Sequence, residues 1–158
     1  MTYNSKRTII SMAVGLALLI AYMVYALGKA APGTDNLQSW AIAMLVFIGI
    51  GLVALIIVQV VFHILVAVGI AAKEGEGNVE RILDANMVED ERDKLISLKA
   101  SRAGYICVAL GVMLALAVLA LGMAALVALH VLLGALAIGS LLDGAASIYL
   151  YERGVQHG

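Results

Sequence analysis

Residues 40–72 read WAIAMLVFIGIGLVALIIVQVVFHILVAVGIAA, 33 residues without a single Asp, Glu, Lys or Arg. About 20 mostly apolar residues, rising 1.5 Å each, suffice to carry a helix across roughly 30 Å of hydrocarbon. Lipid offers the backbone no hydrogen bonds, so an uninterrupted apolar run of this length is a helix rather than a strand. Working outward from it, three more stretches qualify. Thr8 to Gly28 and Ala103 to Leu129 carry no charge, and His130 to Tyr151 carries only Asp143. The expected spans are therefore 8–28, 40–72, 103–129 and 130–151, with a tight connection near Leu129 and His130. The expected fold is an all-α membrane protein, residues 1–158 forming a single transmembrane domain. Its four transmembrane helices make two hairpins, with the third helix extended into the cytoplasm.

Composition agrees. Hydrophobic residues make up 63% and charged residues 13%, against roughly 45–50% and 25% in soluble domains. The net charge of −1 provides no basic field for nucleic acid, so direct nucleic-acid binding is not expected. A single Cys, Cys107, excludes an intrachain disulfide. The first span is longer than the apolar core of a signal peptide, about 7–15 residues, and ends at Tyr22, Tyr25, Gly28 and Pro32, which read as interfacial aromatics and a turn.

Orientation follows from the basic residues, which stay in the cytoplasm. Lys6 and Arg7 precede the first span, Lys73, Arg81, Arg92, Lys94, Lys99 and Arg102 lie between the second and third, and Arg153 follows the fourth, while the other side holds only Lys29. Both termini and the central segment are expected inside, in a multi-pass protein of the plasma (inner) membrane. Tyr22, Tyr25 and Trp40 fall at the outer boundary. Small residues four apart, Ala100 and Gly104, Gly111 and Ala115, Ala135 and Gly139, Ser140 and Gly144, are candidates for close helix packing, within the chain or in a homo-oligomer.

The central segment 73–102, KEGEGNVERILDANMVEDERDKLISLKASR, contains six basic and eight acidic residues, two thirds of the charge in the chain. Gly75 and Gly77 end the second helix, Asn78 caps a short turn holding Val79, Ile82 and Leu83, and Asn86 followed by Glu89 resembles a helix cap. From Met87 no Gly or Pro interrupts the chain before Gly104, so the third helix is expected to begin in the cytoplasm and enter the bilayer unbroken. Acidic residues at its start suit the helix dipole, and Lys94, Lys99 and Arg102 suit lipid headgroups. Either this helix is a solvated juxtamembrane element packing on its neighbours, or Met87, Asp90, Glu91, Arg92, Asp93, Lys94, Leu95 and Leu98 form a docking face for a cytoplasmic protein. No metal is expected at Glu89, Asp90, Glu91 and Asp93, because consecutive helical carboxylates diverge around the axis.

The run EDERDKLISLKASRAGY, Glu89 to Tyr105, resembles the DERD-containing segment of a prokaryotic family of four-helix membrane proteins known as a domain of unknown function. The tail YLYERGV resembles that family's aromatic and basic ending. The resemblance spans the central segment and flanking spans, about two thirds of the chain. It brings no catalytic residues. It implies a membrane protein that holds or releases a transcription regulator, since relatives are often encoded near small helix-turn-helix proteins.

Ionisable residues inside spans are costly and mark candidate sites. Asp143 lies about 12 Å above the inner boundary and His63 about 15 Å above its own cytoplasmic end, with Gln59 one turn from His63. The three can form a polar cluster in which His63 and Asp143 pair. Alternatively His63 sits at the interface and Asp143 pairs with Arg102 or Lys99. Cys107 reads as a small core residue, and His130 and His157 as a loop and a tail residue. No zinc spacing, phosphate loop or nucleophile elbow is present, so neither an enzyme nor a cofactor is expected. Two functions remain: recruitment or regulation of a cytoplasmic partner, and a proton- or ion-linked transporter or channel subunit that needs an oligomer.

Overall fold

The computed structural model describes residues 3–29, 36–74 and 91–153. They form four helices: α1 (Tyr3–Lys29), α2 (Leu37–Glu74), α3 (Glu91–Ala120) and α4 (Ala125–Arg153). All four are long and apolar enough to cross a membrane, and among the described residues there is no strand. The chain is a multi-pass, all-α membrane protein built as two hairpins. Met87 and Asp90 of the expected docking face, the Val79, Ile82 and Leu83 turn, the cap at Asn86, and Gly75 and Gly77 lie outside the described residues.

Local chemistry sets the helix ends. Asn36 caps α2: its Oδ1 accepts the Gln38 amide at 3.0 Å, its carbonyl accepts the Ser39 amide at 3.0 Å, and the Ser39 hydroxyl donates to the same carbonyl at 2.9 Å. Glu91 and Asp93 occupy the first described turn of α3, where carboxylates meet the positive end of the helix. The turn between α3 and α4 is a Schellman motif. Gly122 takes φ +73°, its amide donates to Leu119 at 3.0 Å, and the Met123 amide reaches back to Val118 at 3.2 Å.

This turn corrects the expected connection at Leu129 and His130. A His within an apolar run looked like a break, but Gly122 is the residue that can adopt the left-handed conformation. The third span therefore ends at Ala120 rather than 129, and the fourth starts at Ala125 rather than 130. His130 belongs to a helix and not to a loop.

The bundle is organised around α4, which contacts each of the other three helices, while α1 and α2 also pack together. Close approach depends on small residues. The buried stripe of α3, Ile96, Ala100, Gly104, Gly111, Ala115 and Val118, meets Ala128, Ala135 and Gly139 of α4. A methyl group on Gly104 would lie 2.9 Å from the carbonyl oxygen of Gly139, and one on Gly139 would lie 3.0 Å from that of Gly104. Gly144 faces α1 instead, beneath Met12 and Thr8. Ala100, Gly104, Gly111, Ala115, Ala135, Gly139 and Gly144 thus serve packing inside the chain, whereas Ser140 is exposed.

At 30 residues, α3 is about 45 Å long and exceeds the hydrocarbon thickness. The charged end of α3 is not free-standing, however. Ile96 is 0% exposed, and α4 is the helix packed along α3.

Candidate functional site

At the charged end, α1, α2, α3 and α4 enclose a polar cavity of about 330 Å³. Its wall includes Arg7 and Thr8 from α1, Gln59 from α2, Asp93 and Ser97 from α3, and Asp143 and Ser147 from α4. Helical spacing accounts for this composition: Ser140, Asp143, Gly144 and Ser147 recur on adjoining turns of α4. The Arg7 guanidinium donates to Gln59 Oε1 at 2.9 Å, tying α1 to α2 in the cavity wall. Among the described residues Asp143 has no hydrogen-bond or ion-pair partner, and its Cβ lies 3.3 Å from where a Cβ on Gly104 would stand. The glycine leaves room for this carboxyl between two helices.

The expected trio of Gln59, His63 and Asp143 is only partly assembled. Gln59 and Asp143 share the cavity, whereas His63 is not on its wall and its ring lies beside Phe62, with centroids 6.4 Å apart. The helix registers explain the difference. Arg7 opposite Gln59 and Tyr22 opposite His130 place His63 level with Tyr3 but Asp143 near Ile9, about 9 Å apart along the bundle axis. Counting from separate helix ends made the depths look equal. Gln59, one turn from His63, turns to Arg7.

The expected docking residues divide between two environments. Glu91, Arg92, Lys94, Leu95 and Leu98 are exposed, Leu95 at 41% and Leu98 at 68%. Asp93 instead contributes to the cavity. Among the described residues no group of His, Cys, Asp and Glu has the geometry to hold a metal.

The opposite end of the bundle contains a cluster whose partners sequence does not connect. The His130 Nδ1 donates to the Leu126 carbonyl at 2.9 Å. A carbonyl can only accept, so in the neutral ring Nε2 is the acceptor, and the Tyr22 hydroxyl donates to it at 3.1 Å. The Trp40 ring packs edge-on against His130, with centroids 5.1 Å apart. Phe47 contacts Tyr22 and Tyr25. Lys29 Nζ stands 4.9 Å from the Trp40 ring centre and 3.2 Å from Ser39 Oγ. That Tyr22, Tyr25 and Trp40 fall at one end of the bundle was legible; their closure over His130 was not.

Between these ends lies a second cavity of about 380 Å³, lined almost wholly by apolar side chains of α1, α2 and α4. It reaches from Tyr22 and Phe47 to Leu55, Ala137 and Ser140. Gly15, Leu19, Leu55, Ala137 and Ser140 border both cavities, so the two adjoin along the bundle. Comparison with protein-family models, with curated proteins and with solved structures returned no match.

Proposed function

We propose that the chain is a transport-class membrane protein that binds a cation or proton at Asp143, reached from its charged end. The supporting observation is the Asp143 carboxyl, without a partner among the described residues, on the wall of a cavity of about 330 Å³ inside a membrane-spanning helix. A carboxyl at such a depth is expensive unless the site uses it. Arg7 and Gln59, hydrogen-bonded to each other, add polar groups to the same wall. The charge distribution supports a plasma (inner) membrane location with both termini and the cavity mouth cytoplasmic. Four helices rarely enclose a complete pathway, so the working unit is taken to be a homo-oligomer. In liposomes, Asp143→Asn should reduce cation- or proton-coupled flux at least tenfold, whereas Asp143→Glu should retain a measurable fraction. Undiminished flux through Asp143→Asn would remove this reading.

A second reading rests on the exposed apolar pair Leu95 and Leu98, flanked by Glu91, Arg92 and Lys94. Two leucines facing away from the bundle within a charged turn suit a cytoplasmic protein partner. The resemblance of the DERD segment to the prokaryotic family suggests a transcription regulator as that partner. Leu98→Asp in the full chain should abolish co-purification of such a regulator and leave flux intact; unchanged recovery would exclude docking at this face.

A further inference from the structure

We propose that the two adjoining cavities together form a binding site for an amphipathic organic cation, an ammonium head carried on an apolar tail. This inference rests on the assignment of Asp143 as the cation-binding group and names the ligand class. The wall of the polar half holds one basic side chain, Arg7, and two acidic ones, Asp93 and Asp143, a lining of net negative charge in which Asp143 is the acid set deepest on its span. An anionic headgroup would meet an uncompensated carboxylate there, whereas an ammonium would neutralise it at short range in a low-dielectric setting. Ser140 and Ala137, within two turns of Asp143, border both halves. A head held at Asp143 therefore has its tail directed into the apolar half.

The apolar half runs from Ser140 to Leu133 on α4 and from Gly15 to Tyr22 on α1, a length of about 10 Å. It ends at the aromatic rings of Tyr22 and Phe47, which stand 5.4 Å apart and edge-on. Each half, at about 330 and 380 Å³, falls within the range of small-molecule sites, roughly 300–1,000 Å³. Small inorganic cations would use only the polar half and leave the apolar half without a role. The union of the two halves at Ser140 is what selects a tailed cation.

The test uses the full chain in nanodiscs with decyltrimethylammonium, compared with tetramethylammonium and decyl sulfate. Decyltrimethylammonium should bind saturably, with affinity at least tenfold above tetramethylammonium, and decyl sulfate should show no saturable component. Asp143→Asn should weaken the first probe at least tenfold. Leu55→Trp, which narrows the junction without touching the carboxyl, should weaken decyltrimethylammonium but not tetramethylammonium. Equal binding of the cationic and anionic tailed probes, or binding unaffected by Asp143→Asn, would mean that the apolar half merely accepts a lipid chain, and would overturn the inference. If flux of small cations depends on Asp143 while the tailed probe neither binds nor competes, this inference fails and the transport reading stands. If neither depends on Asp143, both fail.

Discussion

Gly111→Leu should unseat α3 from α4. A β-carbon at Gly111 would overlap that of Ala135, and the obstruction is at the root of a side chain, where no rotamer change relieves it. Overpacking a core typically costs about 1–3 kcal/mol; here the backbones must separate, and a loss of at least about 3 kcal/mol is expected. Lipid makes the loss harder to recover, since helices in a bilayer are held by packing rather than by escape from water. The single Cys, Cys107, supplies a direct readout, because its Sγ lies in this seam, 3.9 Å from the Ala135 carbonyl oxygen. Its reaction with a maleimide should accelerate in Gly111→Leu. Gly134→Ala is the matched control: nothing lies within 4 Å of the added methyl group, so stability should hold or rise by up to about 1 kcal/mol. Equal maleimide rates in Gly111→Leu and the unaltered chain would show that the seam does not depend on this glycine.

The same contacts show what was legible in the sequence. Four spans could be read because a bilayer imposes length and polarity on any chain that crosses it, and runs such as 40–72 satisfy both without reference to a partner. The α3–α4 turn was misread because Gly122 is one of 16 glycines and only its left-handed φ distinguishes it, whereas His130 stood out chemically. His130 in fact obtains its hydrogen bonds from Leu126, one turn away, and from Tyr22 on another helix. Asp143 and His63 were recognisable as costly ionisable residues inside spans, with Gln59 one turn from His63, but Arg7 was read only as an orienting charge. Its hydrogen bond to Gln59 links residues 52 apart in sequence, and only the packed register of α1 on α2 fixes that pairing. Helices that are apolar nearly all round carry little periodicity to say which face meets which neighbour, so the cavity was not readable even though several of its polar residues were.

Trp40→Ala should loosen the aromatic end while leaving the α3–α4 seam intact. Trp40 is 4% exposed and joins three helices: Lys29 and Tyr25 of α1 lie against its ring at 4.9 and 6.3 Å, and His130 of α4 at 5.1 Å. Truncating a buried Trp costs about 3–5 kcal/mol in soluble cores. The lower end of that range applies here, because lipid can partly replace the lost apolar contacts. Trp40→Phe should cost distinctly less, for a second reason besides volume. The indole Nε1 is buried without a hydrogen-bond partner among the described residues, and phenylalanine removes that unmet donor. Since α3 contributes no ring to this cluster, Cys107 should remain as slow toward maleimide in Trp40→Ala as in the unaltered chain. Amide exchange should quicken in the first turns of α2, and the combined Gly111→Leu, Trp40→Ala chain should show the two losses adding to within about 0.5 kcal/mol, as expected of separate sites. Fast Cys107 labelling in Trp40→Ala alone would mean instead that the two ends open as one unit.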